Sequence, residues 1–146
     1  MSDRLFWDVV EGRVPLPPAA QLLGTRFVSF DTDEGTIETT FDATDRLLNT
    51  AGDIQGGMLS SMLDVTLGSC AIAVLDEGQW APTLELHTHF VARAHVGRID
   101  GRARVVKRGG SVVFVSGELR QDDRVLATAT ATALVRQGLP GARPRM

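Results

Sequence analysis

From Gly57 to about Asp76 the chain carries its one long run of helical spacing, and that run is apolar on almost every side. Met58, Leu59, Met62, Leu63, Val65, Leu67, Ile72, Val74 and Leu75 cover most of the circumference. A helix apolar all round is buried rather than laid on a surface. At roughly 20 residues it would be about 30 Å long. One sheet covers such a helix only by curling around it. The expected architecture is therefore α+β, a curled antiparallel sheet wrapped around one long central helix. A leftover strand edge and helix face would be best covered by a second copy of the chain.

The strands are legible as period-two runs between turn signals. Thr25–Asp31 and Thr36–Phe41 flank the turn "TDEG" and read as a hairpin. After the helix come "TLELHTHF", Gly97–Lys107, Ser111–Leu119 and Arg124–Val135, which makes about six strands. The last has an Ala/Thr alternation whose alanine face lets a helix approach closely. At the start, Asp3 or Ser2 is positioned to cap a short helix with Leu5, Phe6, Val9 and Val10 on one face, and "VPLPPAAQLLG" breaks it into a second short turn ending at Gly24. Between strand two and the helix lies "DATDRLLNTAGDIQG", a long irregular connection of the kind that is often functional. Residues 1–136 read as a single domain and 137–146, rich in Gly, Pro and Arg, as a flexible tail.

Composition narrows the function classes. The chain has 146 residues, ordinary for one domain, and a net charge of -3, which argues against a nucleic-acid partner held by phosphate electrostatics. A single cysteine, Cys70, rules out an intramolecular disulfide and reads as a small core residue. The N-terminus lacks the basic and apolar regions of a signal peptide, and the apolar run is interrupted by Asp64 and by Ser, Thr and Gly, so neither export nor a membrane span is expected. The expected location is cytoplasmic.

Asp64 is the anomaly in the apolar run. Counting three or four residues along the helix, its neighbours are Ser60, Ser61, Gly68 and Ala71, with Gly57 at the start. The carboxylate thus lies on a strip of small residues that something else can approach, a partner helix or a ligand. Two readings stand: a buried aspartate paired with a basic group, or a reactive carboxylate. Gly56-Gly57 follow Gln55 at the helix start, where unpaired N–H groups and partial positive charge can hold an oxyanion. The same pair also suits a plain turn into a helix. Asn49, six residues before Gln55, carries an amide that can donate to the same oxygen.

The pattern Asn49-x5-Gln55-Gly56-Gly57-x6-Asp64, with Thr83 opening the next strand and "TLELHTHFVARAHVG" after it, resembles the hotdog-fold acyl-CoA thioesterases of the phenylacetate-degradation type. The resemblance spans about Asp45 to Val135. It implies a central helix wrapped by the sheet, and dimers with active sites at the subunit interface that often pair into tetramers. It implies that Asp64 acts as general base on water or as nucleophile on a thioester carbonyl. Gly57 or its neighbour Gly56 would polarise that carbonyl. Asn49 would position the carbonyl or the water, and Thr83, from the facing subunit, would hold the attacking water. The family's common histidine is Gln55 here, which can donate a hydrogen bond but cannot release a proton at neutral pH. No cofactor is implied, because coenzyme A is part of the substrate, and the chemistry needs no metal.

Ser61 and Gly68 on the small-residue strip, with Met58 and Met62, suggest an apolar acyl pocket. Arg93, Lys107 and Arg108 stand near glycine turns where the resemblance places coenzyme A phosphates, although they also read as ordinary solvated charges. His87 and His89 face the same side of a strand without a third metal ligand at sensible spacing, and are expected on a solvated or interface face. The rival to a thioesterase outside enzymes is a non-catalytic acyl-CoA-binding or scaffold protein. Within enzymes it is acyl-CoA hydration, whose Asp/His motif is absent from this sequence.

Overall fold

The computed structural model describes residues 4–138. In chain order the elements are α1 (Leu5–Val10), α2 (Pro18–Leu22), β1 (Arg26–Asp31), β2 (Thr36–Ala43), a 3-10 turn at Asp45–Leu47, α3 (Gly56–Ala73), β3 (Gln79–Trp80), β4 (Thr83–Phe90), β5 (Gly97–Arg108), β6 (Val112–Gln121), β7 (Arg124–Leu134) and β8 (Arg136–Gln137). Six strands form one antiparallel sheet in the order β1-β2-β5-β6-β7-β4, and α3 packs across it. This is the α+β arrangement expected from the sequence, with a hotdog-type central helix.

Small residues set how closely helix and sheet approach. Ala127, Ala129, Ala131 and Ala133 are buried on the helix side of β7. A Cβ at Gly117 would lie 2.7 Å from Leu67 Cδ1, and one at Gly101 would lie 2.8 Å from Thr66 Oγ1. Both positions must therefore lack a side chain for α3 to sit where it does. The core is filled by Phe41, Leu47, Met62, Leu63, Leu67, Ile99, Val113, Val115, Leu119 and Leu126, all under 3 % exposed. A polar pair inside it is satisfied: Thr66 Oγ1 donates to the Met62 carbonyl at 2.9 Å and accepts from Thr39 Oγ1 at 2.9 Å.

The structure refines three expectations. The helix ends at Ala73, short of Asp76. The chain beyond residue 136 begins in order, because β8 pairs with β3 through Gln79↔Gln137 and Trp80↔Arg136. The rest of the expected tail, and the cap at Ser2 or Asp3, lie outside the described residues. Most important, α3 is not covered all round. Gly57, Ser61 and Asp64 are exposed along one face, while Leu59, Met62, Leu63, Thr66, Leu67, Ser69, Cys70 and Ala71 are buried. The sheet curls around part of the helix only and leaves a strip open.

Candidate active site

The open strip carries the residues singled out by the sequence. Gln55 caps α3, so the amides of Gly56 and Gly57 are among the first N–H groups of the helix and have no helical acceptor. The two glycines differ. A Cβ at Gly56 would meet the Phe90 ring at 3.3 Å, so close packing keeps that residue small. At Gly57 a Cβ would meet nothing within 4 Å, and the residue has no left-handed backbone to demand glycine. Gly68 is alike: its only neighbour would be Thr83 Oγ1 at 3.8 Å, ordinary contact. Glycine inside a helix costs roughly 1 kcal/mol relative to alanine. Nothing among the described residues requires that cost at Gly57 or Gly68. Both positions leave room on the outside of α3.

Asp64 lies two helical turns beyond Gly57 on the same face. Thr83 Oγ1 donates to Asp64 Oδ1 at 2.8 Å. The bond forms within one chain, whereas the resemblance implied a Thr83 of the facing subunit holding the attacking water. A register shift in the β4–β7 ladder between Thr83 and Glu85 makes it possible. Strict alternation would place Thr83 on the outer face with Glu85, His87 and His89. The extra residue turns Thr83 back toward the helix, a known use of such irregularities beside functional groups. No basic side chain pairs with Asp64 among the described residues, so the buried salt-bridge reading does not hold.

Around this pair the other expected residues divide. Asn49 holds its own loop together: Oδ1 accepts the Ala51 and Asp53 amides at 2.9 and 3.2 Å, which leaves its amide nitrogen as the remaining donor. The exposed Gln55 side chain makes no cap bond. Ser61 donates back to the Gly57 carbonyl at 2.9 Å. Arg93 lies at the helix-start end, 3.5 Å from Asp53. Lys107 and Arg108 are not brought there. Arg108 pairs with Val113 on β6, three strands from Thr83, about 14 Å at normal strand spacing. Its guanidinium is engaged by the Gly109 carbonyl and Gln79. Lys107 lies on the outer sheet face with Phe114, Thr132 and Glu85.

Two larger concavities exist. The first, about 990 Å³, lies on the outer face of the sheet among Arg102, Arg104, Glu38, Glu118, His87 and His89, away from Asp64. The two histidine rings are 5.5 Å apart, both exposed, and no metal-binding cluster occurs among the described residues. The second, about 720 Å³, begins at Asp64 and Thr83 and runs over Gly68, Ser69 and Ile72 to Trp80, roofed by Phe6, Trp7 and Phe27. Met58 and Met62 do not line it; Met62 is fully buried and Met58 packs against the core. Sequence reasoning missed the N-terminal roof, although the apolar face of α1 was its signal.

A profile of the thioesterase superfamily matches residues 51–128. A phenylacetic acid degradation-related protein of Ralstonia eutropha, assigned as a thioesterase, is 40% identical, with a TM-score of 0.85 over 88% of this chain and 98% of its own. A Pseudomonas aeruginosa protein assigned as an esterase is 30% identical over 84% of this chain and 94% of its own length. A protein of the phenylacetic acid degradation operon of Escherichia coli is 20% identical and shares the fold, with a TM-score of 0.79 over 94% of this chain and 98% of its own. With more than half of its length matched by the family profile, this chain belongs to the thioesterase superfamily and is a thioester hydrolase.

Proposed function

We propose that the chain hydrolyses acyl-CoA thioesters to free acid and coenzyme A, and that two chains complete each site. The observation that carries this reading is the Thr83–Asp64 pair at the mouth of a cavity large enough for an acyl group.

A thioester needs a base or nucleophile beside the carbonyl and donors for the developing oxyanion. Asp64 supplies the carboxylate. With Oδ1 held by Thr83, Oδ2 is left to take a proton from water as the oxygen adds to the carbonyl carbon. The tetrahedral oxyanion is held by the Gly57 amide. When the C–S bond breaks, the leaving thiolate takes the proton from Asp64, and the atoms balance as one water consumed per acid and thiol formed. Gln55 and the Asn49 amide nitrogen donate to the carbonyl oxygen or the sulfur without exchanging a proton.

Gly57 and Asp64 are seven residues apart on one helix, about 10.5 Å along the axis. One chain cannot place both on a single carbonyl. A second α3 laid against the open strip, with its Gly57 opposite this Asp64, can. The free edge of β4 and its exposed Leu84 and Phe90 give that second copy a surface to join. Pairing of dimers into a homotetramer, and a cytoplasmic location, belong to the same reading.

Incubation with an acyl-CoA panel and a thiol reagent tests it. Thiol release by the wild type that disappears in Asp64→Asn is the expected result. Tight acyl-CoA binding without release would favour the non-catalytic binding protein instead.

A further inference from the structure

We infer that the cavity beside Asp64 is an acyl site for straight apolar chains of about nine carbons, with Gly68 as its throat and the N-terminal aromatic segment as its cap; this rests on the thioesterase reading above. Three observations carry it.

The first is continuity. The cavity of about 720 Å³ starts at the Asp64–Thr83 pair and follows α3 toward its C-terminal end; α3 itself carries no charged side chain between Asp64 and Ile72, while Arg4, Asp76 and Glu77 also line the cavity. Eight residues of helix span about 12 Å. Carbon–carbon bonds of about 1.5 Å advance an extended chain by about 1.3 Å each, so some nine carbons fill that distance. A two-carbon acyl group would leave most of the cavity wet.

The second is the throat. Gly68 is the one lining residue on this stretch of α3 without a side chain, and neither backbone conformation nor a neighbour in its own chain requires that. Beside it, Ser69, another small side chain, lines the cavity at 8% exposure.

The third is the cap. Phe6, Trp7, Phe27 and Phe30 form an aromatic cluster with ring centroids 5.1 to 6.2 Å apart, edge-to-face except for the tilted Phe27–Phe30 pair. Phe6, Trp7 and Phe27 of this cluster reach the cavity. All four lie outside residues 51–128, the stretch the family profile matches. The cap is thus built from residues outside that stretch, while the throat at Gly68 lies within it.

The chain has two tryptophans, and both, Trp7 and Trp80, line the cavity. Occupancy is therefore readable by intrinsic fluorescence, independently of turnover. We expect kcat/KM to rise at least 100-fold from acetyl-CoA to octanoyl- or decanoyl-CoA. Gly68→Leu, and Ile72→Trp as a second way of filling the throat, should lower the decanoyl-to-butyryl ratio of kcat/KM at least 10-fold. In Asp64→Asn, decanoyl-CoA should still give a saturable fluorescence change, and Gly68→Leu should abolish it. If the wild type cleaves acyl-CoA while both throat variants keep its length profile, the inference is overturned and the thioesterase reading stands. If no acyl-CoA is cleaved but decanoyl-CoA still shifts the fluorescence, the catalytic reading falls and the acyl site stands. No fluorescence change in Asp64→Asn at saturating decanoyl-CoA overturns the acyl site.

Discussion

Thr83 and Asp64 are nineteen residues apart, one on a strand and one on a helix, and their side chains meet at 2.8 Å. The bond fixes one carboxylate oxygen and leaves the other free, the geometry a general base needs. Removing the charge while keeping the shape separates chemistry from folding. Asp64→Asn should lower kcat by about 10³-fold or more with little change in the thermal unfolding midpoint, because Asp64 is exposed and an Asn carbonyl can still accept from Thr83. Thr83→Val removes a hydrogen bond to a charged group, usually worth about 1.5–3 kcal/mol, so kcat should fall about 10- to 100-fold with KM little altered. Near-wild-type turnover in Asp64→Asn would remove the carboxylate from the mechanism.

The helix-start glycines make a separable prediction. Gly57→Ala adds a methyl group into open space and improves helix propensity, so the chain should fold at least as well as wild type. Proline at the same position lies in the first helical turn, where it is best tolerated, and removes the N–H. If that amide holds the oxyanion, Gly57→Pro should cost about 10²–10³ in kcat, the usual loss for one oxyanion donor. Circular dichroism checks that the helix persists. Equal activity in the proline and alanine variants would assign the oxyanion elsewhere.

The residues that carried the fold in the sequence were those with a period. Met62, Leu63 and Leu67 announce a buried helix, and the Ala/Thr alternation of β7 announces the face it rests on. Their positions follow from local geometry, so a reading one residue at a time finds them. Asp64 and Gly57 were also legible, because a carboxylate and glycines break an apolar pattern. The uncovered strip was not, since hydropathy says a face is apolar or small, not how far a sheet will curl. The side to which Thr83 points depends on a one-residue shift in the β4–β7 ladder, and nothing in "PTLEL" marks it. Gln121 is a further case. It accepts the His95 amide and donates to the His95 and Arg98 carbonyls, and so fixes the loop after β4. In the sequence it is one polar residue before a turn. The outer placement of Lys107 likewise follows from a register shift in β5, between Val105 and Lys107.

Cys70 gives a prediction with a pH sign. Burial pushes its thiol from an ordinary value of 9.0 up to about 12, partly offset by a backbone hydrogen bond. Between those values the folded chain holds a proton that the unfolded chain has released. Its contribution to stability is therefore complete below about pH 9 and is lost as pH rises toward 12. Cys70→Ala should be less stable than wild type at pH 8, because it leaves a hole in the core, and the gap should narrow between pH 9 and 11. Thermal unfolding at several pH values reads this directly, and a constant gap would contradict it. The native thiol, 1% exposed, should also fail to react with Ellman's reagent at pH 8, so the reagent reports released coenzyme A alone.

The remaining prediction concerns the second copy. β4 is an edge of the six-stranded sheet, and beside it Leu84, Phe90 and Val91 are more than half exposed. An edge strand with large apolar side chains and no covering element among the described residues invites pairing. The open strip of α3 lies along the same side, because Ser60, Ser61 and Asp64 share a groove with Thr83, Leu84 and Leu86. One docked chain would therefore cover strand edge and helix strip together. Light scattering should give a mass of at least two 15.7 kDa chains. Leu84→Glu places a charge at the contact without touching the core, and should shift the mass toward one chain while circular dichroism is unchanged. If each site borrows Gly57 from the partner, activity must fall in step with the dimer, and mixing Asp64→Asn with Gly57→Pro chains should restore part of it. Such mixed dimers hold one site with both an intact Asp64 and an intact Gly57, so about a quarter of wild-type activity is expected from random pairing of equal amounts. No recovery on mixing, with exchange of subunits verified, would place both groups of each site in a single chain.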